Sequence, residues 1–271
     1  MEKGRSVLRV VAFLVAVAAG VLAPHCPAAA GGLDDARARG KLVVGVKTDF
    51  PPFGYLDSAG KPQGFDVEIA RYLAKDLFPE GDGERFEPVP VTTGSRIPFL
   101  YSDWIDMIVA TMSVTEERKR VLDFSDPYFL SASLLLVPAG SPVRGIGDLA
   151  GKTVAVVRGS VQEYDLPHVA PAAKLVRFGK VTEALQALKG GKAEALCQDE
   201  AVILALAKEN PGLAAAGKPF LPRPYAIAVR KGDADTLRWI NENLSAMKKD
   251  GSYDRLLAKY FGATVGKEAK P

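Results

Sequence analysis

Four short stretches of the chain carry residues able to grip a small charged solute. In Thr48-Asp49-Phe50-Pro51-Pro52-Phe53, two prolines stiffen the backbone beneath two aromatic rings, Phe50 and Phe53, which suit a clamp on a small ligand. In Thr111-Met112-Ser113-Val114-Thr115-Glu116-Glu117-Arg118, hydroxyls and free amides at a helix start favour an anion, and Arg118 can lay two parallel bonds on a carboxylate. Arg158-Gly159-Ser160-Val161-Gln162 again places a glycine and a hydroxyl where a helix opens. Gln198-Asp199-Glu200 offers, in Asp199, an acceptor for an ammonium group. Each has a plainer reading: core packing for the phenylalanines, a solvated helix arginine, a common Gly-Ser turn, a helix N-cap for Asp199. Together they form an anion site drawn from both halves of the chain, an acidic acceptor opposite and an aromatic wall. That set complements a zwitterionic α-amino acid.

Other chemistries lack the residues they need. The 271-residue chain has two cysteines and two histidines, and beyond residue 30 only Cys197 and His168 remain. One thiol and one imidazole supply neither an internal disulfide nor the usual zinc site. Cys197 follows an apolar run and reads as buried filler, His168 as a surface residue near a helix end. No metal or other cofactor is expected. The net charge of +3 reflects the N-terminus, where Lys3, Arg5 and Arg9 stand against Glu2. Without residues 1–30 the chain carries 32 basic and 31 acidic residues, which gives nucleic acid no electrostatic hold.

The same basic residues precede the apolar run 10–23 and the small residues Ala28-Ala29-Ala30. This is the layout of a cleaved secretory signal over residues 1–30. The run is too short to span a bilayer, which takes about 20 residues. The residues before Cys26 do not suit a lipid-attachment site. The mature protein is therefore expected outside the cytoplasm.

These groups must be held by alternating strands and helices, the pattern of an α/β fold with mostly parallel sheets. Strands are predicted over 42–46, 86–91, 105–110, 153–157, 175–178, 193–198 and 225–230. Helices are predicted over 66–78, 97–102, 115–122, 181–188, 200–208 and 235–249, the 115–122 helix capped by Ser113 with Glu116 three residues on. Two extended segments, 133–138 and 222–229, join two βα series and leave a cleft between them. In such sheets ligands sit beyond the carboxyl ends of the strands, where the four stretches lie.

The segments VGVKTDFPPFGYLD, GKPQGFDVEIARYLA, IDMIVATMSVTEERKRVLDFSDPYF, DLAGKTVAVVRGSVQEY, ALCQDEAV, YAIAVRKGD and MKKDGSYDRLLAKYFG resemble, in order, the family 3 extracellular solute-binding proteins. The resemblance covers residues 42–262. It implies the bilobed type II periplasmic-binding fold: two α/β lobes on two hinge strands, with 31–134 and 224–271 in one lobe and 135–223 in the other. It implies a free amino acid as ligand, a membrane permease of an ABC importer as partner, and a monomer. By position, Arg118 takes the α-carboxylate with Ser113, Thr111 and the amides of Ser160 and Val161; Asp199 accepts the α-ammonium; Phe50 covers the side chain. Relatives often have threonine where Val161 stands, so only its amide can serve. Thr93-Gly94-Ser95-Arg96-Ile97-Pro98 resembles a segment of the glutamate/aspartate branch, so Arg96 would face an acidic or amide side chain, whereas Asp49 would suit a cationic one. Glutamate, aspartate or glutamine is the favoured ligand. Two other readings stay open, a cyclohexadienyl dehydratase on the same fold and a sensor module.

Overall fold

The run Leu42–Val46 (β1) is apolar and buried at every residue, the pattern of a strand covered on both faces. It starts the first of two five-stranded sheets in a computed structural model that describes residues 32–80 and 85–268, with side chains to residue 262. The expected signal segment and Cys26 lie outside the described residues. β1 pairs in parallel with β5 (Phe86–Pro90) and β6 (Met107–Ile108). Antiparallel β13 (Ala228–Arg230) and β7 (Leu122–Phe124) complete the order β5-β1-β6-β13-β7. Helices α1 (Gly32–Arg39), α2 (Phe65–Leu77), α3 (Arg96–Tyr101), α8 (Ala234–Lys249) and α9 (Ser252–Glu268) belong to this half. The predicted face of α8 is buried at Ile240, Leu244 and Met247, with Leu237 partly buried. A small antiparallel sheet of β2 (Asp49–Phe50), β3 (Gly54–Leu56) and β4 (Pro62–Gln63) follows β1. Gly64 ends it at φ 127°, where a Cβ would stand 2.2 Å from the Phe53 carbonyl oxygen, so only glycine lets α2 begin there.

The second sheet has the order β10-β9-β11-β8-β12. β9 (Thr153–Val157), β10 (Lys174–Phe178) and β11 (Ala195–Asp199) are parallel; β8 (Phe129–Pro138) runs antiparallel to β11, and β12 (Leu213–Tyr225) pairs antiparallel with β8 at the sheet's edge. Helices α5 (Val161–Val169), α6 (Val181–Lys189) and α7 (Glu200–Glu209) complete the second half. The predicted helix 115–122 is a single turn, α4 (Glu116–Lys119), after which the chain enters β7. Its cap is Thr115, whose hydroxyl accepts from the Arg118 amide at 3.2 Å. The expected Ser113 cap is corrected: Ser113 is engaged as a β-bridge to Tyr225.

The chain passes between the sheets twice, through 125–128 and through 226–227, and the passages are bonded to each other. Ser125 N donates to Ile227 O at 2.9 Å, Ile227 N to the Ser125 hydroxyl at 2.9 Å, and Tyr128 N to Tyr225 O at 2.9 Å. The first passage thus precedes the segment 133–138, which is the second half of β8, paired with β11 over 133–136 and with β12.

An aromatic cluster sits beside these passages. The Phe53 ring meets Phe129 at 4.9 Å, Phe261 at 5.2 Å and Tyr225 at 5.5 Å between centroids, largely edge to face. Phe53 is fully buried. The expectation that it clamps a ligand is corrected: the turn at Pro51-Pro52 puts its ring into the core. Phe53→Ala should lower the unfolding free energy by about 3–5 kcal/mol in urea titration; a loss below about 1 kcal/mol contradicts this packing.

Candidate functional site

The carboxyl ends of the strands in the two sheets face each other across one narrow cleft, which the lining side chains nearly fill, leaving about 10 Å³. Its lining from the first sheet's side is Phe50, Thr93, Arg96, Thr111, Ser113 and Arg118. From the second it is Ser160, Val161, Gln162, Gln198 and Asp199. Nine of the twelve residues singled out from the sequence thus meet in one place; Asp49, Phe53 and Met112 do not. Asp49 is half-buried on β2, outside the lining. Met112 is wholly buried with Val43, Val91, Leu100 and Ile108, because a strand-end residue between two that face the cleft turns inward to the core. Thr93 and Gln198 are additions, the first three residues past β5 and the second the penultimate residue of β11.

Arg118 reaches the cleft from α4. Its Nη1 donates to Ser113 O at 2.8 Å, and its Nη2 crosses to the other lobe and donates to Gly159 O at 3.1 Å. The lobes are close here: a Cβ on Gly159 would lie 3.6 Å from Gly94 Cα and from Thr93 O. Gly159 itself adopts φ 77°, and Ser160 then caps α5 by accepting from the Glu163 amide at 3.3 Å. Burial holds the Arg118 guanidinium below its usual range, with Asp199 opposing the shift.

Asp199 ends β11. It occupies the N-cap position of α7 but its side chain makes no capping bond. Its Oδ1 instead accepts from Gln162 Nε2 at 3.0 Å, and the same amide donates to the Ser133 hydroxyl at 3.1 Å. The carboxylate is therefore turned to the cleft. Burial raises its pKa, against the pull of Tyr225, Gln162, Arg96 and Lys47. The Tyr225 hydroxyl acts on it by proximity, without a hydrogen bond of good geometry.

Arg96 is 2% exposed. Its Nη1 donates to Thr111 O at 3.1 Å and to Ala110 O, while its Nε has no partner. Burial and the Arg118 charge lower its pKa to about 9. Gln198 Nε2 is also buried without a partner. Two orphaned donors on the lining of one cleft are unusual in a folded protein, where buried polar groups are nearly all bonded.

Lys47 escaped the sequence reading. It is 2% exposed, donates to the Thr93 hydroxyl at 2.6 Å and lies 4.8 Å from the centroid of Phe50, the aromatic ring of the lining. A lysine immediately after an all-apolar strand was the available signal. Among the described residues no cluster of three His, Cys, Asp or Glu side chains could hold a metal, and no helix is long and apolar enough to cross a membrane. Cys197 is buried in the second sheet's core, where burial pushes its thiol well up, and His168 is exposed on the last turn of α5.

The model of the bacterial extracellular solute-binding proteins, family 3, matches residues 42–263. The chain belongs to that family. It is 42% identical to the ABC transporter glutamine-binding protein GlnH of Bacillus subtilis, over 82% of this chain and 81% of that one. A solute receptor for L-cysteine from Neisseria gonorrhoeae superposes with a TM-score of 0.82 at 37% identity, covering 88% of this chain and 97% of that one. An ancestral arginine-binding protein bound to glutamine gives a TM-score of 0.78 at 43% identity, over 83% and 99%. This family 3 protein therefore has the bilobed fold and serves as the amino-acid-binding component of an ABC importer. Its relatives are binding proteins, and the dehydratase alternative is set aside.

The buried Lys47 gives this solute-binding protein a distinct pH signature. Burial first, then Arg96, lowers its ammonium to about 7, against the pull of Asp49, Asp199 and Asp66. An unfolded lysine keeps its proton to about pH 10. The unfolded state then binds more protons between those values, so the Lys47 contribution makes stability rise with pH from about 7 to about 10. Lys47→Met should flatten that part of the unfolding free-energy profile. Parallel profiles for the two proteins contradict the assignment.

Proposed function

We propose that this protein binds glutamine or glutamate between its lobes, with Arg118 on the α-carboxylate and Asp199 on the α-ammonium. The observation that carries the reading is the meeting of these two groups, from different lobes, on the lining of one cleft. Thr111, Ser113 and the Ser160 and Val161 amides complete the carboxylate's surroundings, Gln162 steadies Asp199, and Phe50 covers the ligand's side chain.

Lys47 and Arg96 decide the side-chain class. The ammonium spends one of its donors on Thr93, and Arg96 has an unpartnered Nε. An amide or carboxylate oxygen offers both of them an acceptor. A cationic side chain there would face two like charges in a poorly solvated site.

In this reading the first lobe holds residues up to about 125 and from about 228, the second those between, and closure turns on the passages at 125–128 and 226–227. The expected monomer is exported by cleavage of its N-terminal signal, acts outside the cytoplasmic membrane and hands its solute to a permease.

Calorimetric titration of the protein from residue 31 onward, against the twenty amino acids, tests this. Glutamine or glutamate should bind at micromolar Kd or tighter, with arginine and lysine at least about a hundredfold weaker, and Arg118→Ala should cost about a hundredfold or more. Tightest binding of a cationic amino acid, or undiminished binding by Arg118→Ala, overturns the assignment.

A further inference from the structure

Thr111 stands at the heart of the cleft with φ 47°, a left-handed conformation that a β-branched residue adopts only when its surroundings impose it. Its peptide neighbours are clamped from both sides. Its amide donates to Asp66 Oδ2 at 2.7 Å, and its carbonyl accepts from Arg96 Nη1 at 3.1 Å. Asp66 lies on the first turn of α2 and is fully buried. Its second oxygen, Oδ1, accepts from the Tyr128 hydroxyl at 3.0 Å.

Tyr128 belongs to the first passage between the lobes. Its amide donates to Tyr225 O at 2.9 Å, at the mouth of the second passage, and its carbonyl accepts from the Tyr253 hydroxyl. The loop that follows Thr111 is bonded to that second passage directly. Ala226 N donates to Met112 O at 3.1 Å and Val114 N to Pro224 O at 3.0 Å. The backbone that carries Thr111 and Ser113 therefore touches both passages, one by main-chain bonds and the other only through the Asp66 carboxylate.

We propose that Asp66 is a positioning residue, which holds Thr111 in its strained conformation and ties the ligand-binding loop to the interlobe passage at Tyr128. The idea rests on the cleft being the amino-acid site. A rotation of the lobes about 125–128 moves Tyr128, and the carboxylate passes that movement to the Thr111 amide. Asp66 makes no contact with the ligand in this role. Two donors converge on one buried carboxylate, and the Arg96 and Lys47 charges also favour its ionised form. Burial nevertheless outweighs these influences and raises its pKa to about 7, so the group is held at a desolvation cost that a packing role alone does not need.

The test is a double-mutant cycle on ligand affinity, with Tyr128→Phe, Asp66→Asn and the pair, titrated against the wild type's tightest amino acid. Tyr128→Phe removes a hydroxyl and keeps the ring. Global destabilisation does not change the affinity of a protein that is fully folded at the titration temperature, so a purely structural role leaves affinity unmoved. Tyr128→Phe should weaken binding about tenfold and Asp66→Asn about thirtyfold or more, with the pair no weaker than Asp66→Asn alone. Wild-type affinity in Tyr128→Phe, or losses that add in the pair, overturns the proposal. Where Asp66→Asn does not fold, Tyr128→Phe decides alone. A wild type that binds no amino acid would instead refute the function on which the proposal rests.

Discussion

Charges held away from water without full pairing govern this molecule. Arg96, Arg118 and Lys47 stand close to Asp66 and Asp199 in the space between two sheets, and burial moves every one of these groups toward its neutral form. A protein interior tolerates such groups when they are bonded or when something else completes them. Part of the completion is internal. Gln162 bonds Asp199, Thr93 bonds Lys47, and the Thr111 amide and Tyr128 hydroxyl bond Asp66. In the proposed reading the rest, including Arg96 Nε and the free acceptor capacity of Asp199, is what a zwitterion supplies.

That constraint explains why the site is shared between lobes. Placed on one sheet, cations and carboxylates would pair with each other and leave nothing to bind. Here Arg118 comes from α4 on the first sheet's side and Asp199 from β11 of the second, and in this geometry the guanidinium reaches across to the Gly159 carbonyl, with the Thr93–Gly94 backbone close behind. Two adjacent passages of the chain, bonded to each other, join the sheets, and in the proposed reading closure turns on them. Binding energy and lobe closure then become one quantity, since each lobe owns half of the grip.

The fold and most of the cleft were legible in the residues alone. Continuous apolar strands such as Leu42–Val46, helical spacing such as that of α2, and turn residues after each strand gave the alternation. The rule that ligands sit past the strand ends then selected Arg118, Ser160 and Asp199. Errors arose where one residue's direction mattered. Phe53 and Met112 flank true lining residues but point to the core, and sequence adjacency does not encode which way a turn sends a side chain. The Ser113 cap failed because a β-bridge to Tyr225, more than a hundred residues away, took that residue. Lys47 and Asp66 were passed over for a related reason. A lysine at a strand end and an aspartate in a helix's first turn have ordinary surface roles, and only the tertiary packing buries them.

The central claim, that one lobe holds the carboxylate and the other the ammonium of a single amino acid, can be tested with the ligand in place of the protein. Glutamine would be compared by calorimetry with 4-aminobutanamide, which lacks the α-carboxylate, and with glutaramic acid, which lacks the α-amino group. Each deletion leaves one buried protein charge unanswered, at about 2–5 kcal/mol. Both analogues should therefore bind at least about thirtyfold more weakly than glutamine. Near-equal binding of either one would contradict the account.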